Sequence, residues 1–310
     1  MSWFPPPAEI RAEVFTSLPA GFRAARPSAW ADANKGGEPI DSFLEGPSFD
    51  REGRLWVTDI PHGRVFRIAR DGSWEQMAGY DGWPNGLKIT ADGRILIADY
   101  RRGLLALDTR TGEVTTVLGH VRSESFKGIN DLVVADDGAV YFTDQGQTGM
   151  QDPSGRVYRL SADGRLERLL DTGPSPNGIA LCPAGRHLYV AMTRACQIWR
   201  MPVTADGVIG KANVFAHTPG GTSGPDGLAV DAAGGLAIAN PGHGCVWLLD
   251  AAGVPRHRVV SPTGTTVTNL AYDPDEPDML YMTCSDTGEV LRAQVPVRGL
   301  PLVSHRGGTL

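Results

Sequence analysis

Short runs of alternating apolar and polar residues fill most of this chain, and a period of two marks half-buried β-strands. Leu55-Trp56-Val57-Thr58-Asp59, Ile95-Leu96-Ile97-Ala98-Asp99 and Val140-Tyr141-Phe142-Thr143-Asp144 share one template. Each follows a tight turn containing Glu52-Gly53, Asp92-Gly93 or Asp137-Gly138. Each leads into another short run, over 64–68, 103–107 or 156–160. Strands punctuated by Asp-Gly or similar turns read as hairpins. No window carries a persuasive helical period.

The hairpins recur around a second kind of turn. Glu45-Gly46-Pro47, Asn85-Gly86, Asn130-Asp131, Asn177-Gly178, Asp226-Gly227 and Asn269-Leu270 each precede an alternating run, at spacings of 40, 45, 47, 49 and 43 residues. A repeat of about 40–50 residues suits a four-stranded propeller blade. The expected fold is an all-β, six-bladed β-propeller forming a single domain over 1–310. Its blades start near 45, 85, 130, 177, 226 and 269, around a central metal site. The run Glu13-Val14-Phe15-Thr16 lies too far before the first anchor to belong to blade one. An N-terminal strand at about 11–17 is therefore expected to complete the last blade and close the ring. Residues 19–43 read as a long loop, a candidate cover for the central cavity.

Composition narrows the function. A chain of 310 residues with 41% hydrophobic content, 39 Gly and 23 Pro suits a turn-rich closed β architecture. The net charge of −6, without a basic cluster, argues against nucleic acid and anionic membrane as partners. The start shows no secretory pattern and no stretch reaches the roughly 20 apolar residues of a membrane span, so a cytoplasmic protein is expected. Cys182, Cys196, Cys245 and Cys284 form no C-x-x-C pair and read as reduced thiols.

Asn-Gly and Asp-Gly are ordinary turn formers when taken singly. As a set, they place an oxygen-bearing side chain at the same phase of each repeat. Glu45, a poor turn residue, stands where other blades carry Asn. A propeller turns that phase into a ring of carboxylate and amide oxygens, a hard-oxygen cage suited to Ca²⁺. Mn²⁺, Zn²⁺ and Fe²⁺ remain alternatives.

Four stretches carry a resemblance. They are Glu45-Gly46-Pro47; Asn130-Asp131-Leu132-Val133-Val134 with Tyr141-Phe142-Thr143-Asp144; Pro176-Asn177-Gly178-Ile179-Ala180; and Pro225-Asp226-Gly227-Leu228-Ala229-Val230-Asp231. In that order and spacing, the chain resembles the senescence-marker-protein, gluconolactonase and luciferin-regenerating-enzyme family over about residues 13–298. The resemblance implies one divalent cation held by Glu45, Asn130, Asn177 and Asp226. It also implies hydrolysis of a lactone or related ester, with Asp226 as general base or water-orienting group and Asp131 in reserve.

The chain departs from sugar-lactone relatives at Ser125-Phe126-Lys127-Gly128-Ile129-Asn130, and at Gln145 after Thr143-Asp144. Candidate substrate contacts are Asn130, Lys127, Asn85, Trp83, Tyr100 and His243, the last exposed between glycines on an anchor-face loop. Neither a Gly-x-Ser-x-Gly elbow nor a P-loop is present, against serine-hydrolase and nucleotide chemistry. The same cage would suit a phosphotriesterase resembling diisopropyl fluorophosphatase. A non-catalytic binding propeller would have no need for oxygens at the anchors.

Overall fold

Alternation becomes pleated sheet as the pattern requires. The computed structural model describes residues 5–204, 207 and 209–306. Six sheets form the blades of a propeller, with a two-stranded ribbon (His120–Val121 and Glu124–Ser125) between blades two and three. Blade one is built from Leu44–Phe49, Leu55–Asp59, Arg64–Ile68 and Trp74–Gly79, the first strand innermost. Blades two to four repeat this order, with inner strands Pro84–Ile89, Ile129–Val134 and Pro176–Leu181.

The N-terminal segment closes the ring as expected. Glu13–Ser17 pairs antiparallel with Glu289–Gln294 and becomes the outer strand of blade six. Ala8–Arg11, expected only as an extended lead, adds in parallel to Pro255–Val260 as a fifth strand of blade five. Two blades thereby tie the beginning of the chain to its end.

Between the blades, the inward-facing halves of the alternating runs interdigitate. Phe142 and Tyr158 stack at 5.4 Å and both meet Phe126 edge-on. Phe49 and Phe15 pack edge-on against Tyr281, joining blade one to the closing strand and blade six. Full burial of each such side chain contributes about 1.5–3 kcal/mol of transfer free energy. All four cysteines are free thiols; Cys245 and Cys284 are buried, Cys182 and Cys196 only partly.

The inner strands do not run straight into their anchors. In blades one to four the pairing shifts between anchor and strand, at Glu45/Ser48, Pro84/Leu87, Ile129/Leu132 and Pro176/Ile179. Such irregularities re-aim side chains, here at the ring's centre. Threonines bind blade to blade: Thr58 Oγ1 donates to the Asn85 carbonyl at 2.6 Å, and Thr143 Oγ1 to the Asn177 carbonyl at 2.8 Å. Thr268 Oγ1 donates to the Leu44 carbonyl at 3.0 Å, carrying the link across the closure.

Register moves the sixth anchor by one residue from its expected place. Leu270 faces Met282 as Leu132 faces Phe142 and Leu87 faces Ile97. Thr268 is therefore the counterpart of Asn130 and Asn85, while Asn269 is the counterpart of Asp131. The loop expectation for 19–43 also needs correction, because Ala29–Asn34 is a short α-helix capped by Ser28 Oγ, which accepts from Ala31 N at 3.1 Å. Six residues are too few to show a helical period. Trp30 anchors this helix beside Ile60, Phe43 and Trp83, on the anchor face.

Close approach at the centre explains the glycine after most anchors. A Cβ on Gly178 would lie 2.2 Å from the Asp226 carbonyl oxygen, in backbone that cannot swing away. Gly178→Ala should cost about 1–3 kcal/mol of stability in urea unfolding, as overpacking does. Gly21→Ala, where a Cβ meets nothing within 4 Å, should stay within about 0.5 kcal/mol. Equal effects would contradict this account of the glycine ring.

Candidate functional site

Ring closure brings the sequence-expected anchors to one end of the axis. Glu45, Asn130, Asn177 and Asp131 are buried, whereas Asp226 and Asn85 keep part of their surface open. Asn269 Nδ2 donates to Glu45 Oε2 at 3.1 Å, and its side chain also hydrogen-bonds Asp131. Asn177 hydrogen-bonds Asp226. Leu132 N donates to Asp131 Oδ1 at 2.8 Å, the local turn bond expected of a strand-start aspartate.

Electrostatics make this cluster unlike a structural polar core. Burial pushes the Glu45 carboxyl up to about 7; the Asn269 hydrogen bond opposes this, and the Asp131 charge adds to it. Asp226 is held well above the usual carboxylate range, first by desolvation and then by the charges of Glu45 and Asp131, with Arg194 opposing. Burial also raises Asp131, against the pull of Lys88. Three acidic groups thus crowd one enclosed site, each resisting ionisation of the others.

The donor set fits a hard divalent cation. Two carboxylates, Glu45 and Asp226, match the charge of such an ion, and Asn amides add neutral oxygens. Among the described residues, no three His, Cys, Asp or Glu side chains converge as a metal site, so Asn130 and Asn177 are needed to complete one. Asn130 is held in one orientation by a short hydrogen-bonded chain. Its Nδ2 donates to Gln145 Oε1 at 2.9 Å, while Gln145 Nε2 donates to Ser175 Oγ at 3.0 Å. That bond fixes the Asn130 amide through its nitrogen. Gln145, a departure from the family pattern, is therefore built into the site.

Over this end lies a mouth of about 420 Å³, lined by Gln145, Gln147, Thr148, Ser175, Asn34 and Arg194 among others. Asn34, in the 19–43 segment expected over the cavity, and Arg194, in an anchor-face loop, were not among the expected site residues; the 29–34 helix and the turn after residue 192 bring them to the mouth. Tyr100, a half-buried candidate contact, joins the mouth by accepting from Gln147 Nε2 at 3.0 Å and packs beside Trp83. Lys127 Nζ donates to Ser154 Oγ at 2.8 Å on the same side. Asn85, like Glu45, Asn130, Asn177 and Asp226, lies in the anchor ring, outside the residues that line the mouth, and Gln145 is the link between the two. His243 sits apart on blade five, exposed, its Nε2 at 2.5 Å from the Gly220 carbonyl.

Comparison with known proteins agrees with this geometry. Residues 43–286 match the family model described as SMP-30/Gluconolactonase/LRE-like region. A gluconolactonase of Zymomonas mobilis is 33% identical over 51% of this chain, which spans about half (49%) of that relative's length. Lactonase drp35 of Staphylococcus aureus is 28% identical over 71% of this chain and 70% of its own. The solved structure of a gluconolactonase from Xanthomonas campestris superposes with a TM-score of 0.73 at 26% identity, covering 90% of this chain and 98% of that one.

The crowded carboxylates give a pH signature to protein stripped of divalent ions. The Glu45 pKa lies above its ordinary 4.5 in the folded state, so its contribution is complete below that value and is lost as pH rises through about 7. Stripped protein should therefore melt at a lower temperature at pH 8 than at pH 5.5. Glu45→Gln should shrink that difference, and added Ca²⁺ should restore the wild-type melting temperature at pH 8. A flat profile, or one that Glu45→Gln leaves unchanged, would contradict the crowding.

Proposed function

Because this chain belongs to the SMP-30/gluconolactonase/LRE-like family, we propose that it is a metal-dependent lactonase centred on Glu45, Asn130, Asn177 and Asp226. The observation that carries the reading is the axial carboxylate cluster of Glu45, Asp131 and Asp226, in which Asp226 keeps part of its surface open. The lactonase names of relatives supply the substrate class. A divalent cation in this cage, Ca²⁺ by its hard-oxygen donors, supplies positive charge that stabilises negative charge developing on a lactone carbonyl.

The chain's own groups do the rest. Asp226 orients a water and takes its proton as the water oxygen bonds to the carbonyl carbon. The ring carbon–oxygen bond then breaks, and the same proton passes to the departing ring oxygen, leaving a hydroxy acid. Among the described residues, no histidine or lysine lines the mouth beside Ser175 or Thr148, which favours water over a side-chain nucleophile. Asn130 is positioned by Gln145, and Asn177 holds Asp226. Asp131 sits deeper, braced by Leu132 N and Asn269, and acts as a charge partner of Lys88 more readily than as the base.

Asp226→Asn should lower lactone kcat by about 10²–10⁴-fold, the usual contribution of a positioned general base. Glu45→Gln should instead weaken Ca²⁺ binding measured by calorimetry. Chelation should abolish turnover, and restored Ca²⁺ or Mn²⁺ should return it. Turnover that survives both chelation and Asp226→Asn would overturn the reading. Metal-dependent hydrolysis of phosphotriesters alone would move the activity to phosphorus on the same cage.

A further inference from the structure

Among the described residues, Arg194 has no hydrogen-bond or ion-pair partner that accounts for its place at the mouth. It belongs to the turn Thr193–Ala195 of blade four, which ends sharply at Cys196 in left-handed backbone (φ 53°). Thr193 Oγ1 donates to the Pro225 carbonyl at 2.8 Å, pinning that turn beside the segment leading to Asp226. Packing there is tight, because a Cβ on Gly224 would lie 1.9 Å from the Thr193 carbonyl oxygen. The guanidinium is thus mounted on a fixed platform next to the axial site.

Arg194 is exposed, and beyond its long-range effect on Asp226 its charge meets no contact partner among the described residues. Around it the mouth carries amides and hydroxyls (Asn34, Gln145, Gln147, Thr148, Ser175) with Met150 and no carboxylate. Ser175 Oγ accepts from Gln145 Nε2, which leaves its own proton to donate. In a chain of net charge −6, beside three acidic groups, a cation facing a pocket free of carboxylates is an arrangement for an anion. One guanidinium presents a planar fork that matches one carboxylate in charge and geometry. A phosphate, nearer −2, would call for further cations.

We propose that Arg194, with Ser175, binds a carboxylate on the substrate outside the lactone ring, so that this site prefers acidic lactones over neutral ones. The inference rests on the lactonase reading for the reaction, but its binding test does not. Wild-type and Arg194→Gln proteins, each supplied with Ca²⁺, would be compared in two measurements. The first is turnover of an aldaric acid monolactone, the matching neutral aldonolactone and a phosphorylated aldonolactone. The second is calorimetric binding of the open-chain aldarate and aldonate.

Wild type should favour the acidic lactone by about 10-fold or more in kcat/KM, mostly through KM, as expected for a charge-assisted contact of ~1.5–3 kcal/mol. Arg194→Gln should lose that preference, and aldarate should bind more tightly than aldonate only when Arg194 is present. High salt should erode the preference. Equal handling of acidic and neutral compounds by wild type, a preference that survives Arg194→Gln, or selection of the phosphorylated lactone would overturn the proposal. Aldarate selectivity dependent on Arg194 without turnover of any lactone would uphold the anion pocket and overturn the lactonase reading instead.

Discussion

Everything near the axis of this propeller answers to one electrostatic constraint: Glu45, Asp131 and Asp226 share an enclosed site in which the charge on one raises the cost of charge on the others. Buried carboxylates without compensation are expensive, and a fold normally avoids gathering them. Here the closure of six blades forces them together. Lys88 answers part of the charge on Asp131, and Arg194 part of that on Asp226. The remainder is what a divalent cation would neutralise, which is why a binding function is a better account of the cluster than a structural one.

The rest of the molecule holds that arrangement in place. Alternating strands bury their apolar halves between blades, and shifts in pairing turn the anchors inward. Threonine hydroxyls bind neighbouring anchor carbonyls, while glycines after the anchors let the strands meet at backbone distance. At the open end, Gln145 grips Asn130 by its nitrogen, so an irregular blade-three loop sets the orientation of a ring residue. The short Ala29–Asn34 helix, fixed through Trp30, contributes Asn34 to the same mouth.

How much of this was legible follows from where the signal lies. The blades were readable because strand period and turn spacing are local properties of sequence. Glu45, Asn130, Asn177 and Asp226 recur at one phase of the repeat, which is why their shared place around the axis was readable. Asn269 was misplaced by one residue, since Thr268-Asn269-Leu270 offers its only amide one position later and Leu270 settles the register. The parallel addition of Ala8–Arg11 to blade five has no local signature, because it depends on an edge more than 240 residues away. Arg194 lies in the recurring loop between the second and third strands of its blade, but Asn34 belongs to no repeat, and only packing between distant segments brings the two together.

The central claim is that a cation belongs between these anchors. A crystal of the protein grown with Mn²⁺ and measured for anomalous scattering tests it directly. The account predicts one strong peak on the propeller axis in contact with oxygens of Glu45, Asn130, Asn177 and Asp226. A clear map with no axial peak, or a peak bound elsewhere with these side chains still hydrogen-bonded only to one another, would contradict it.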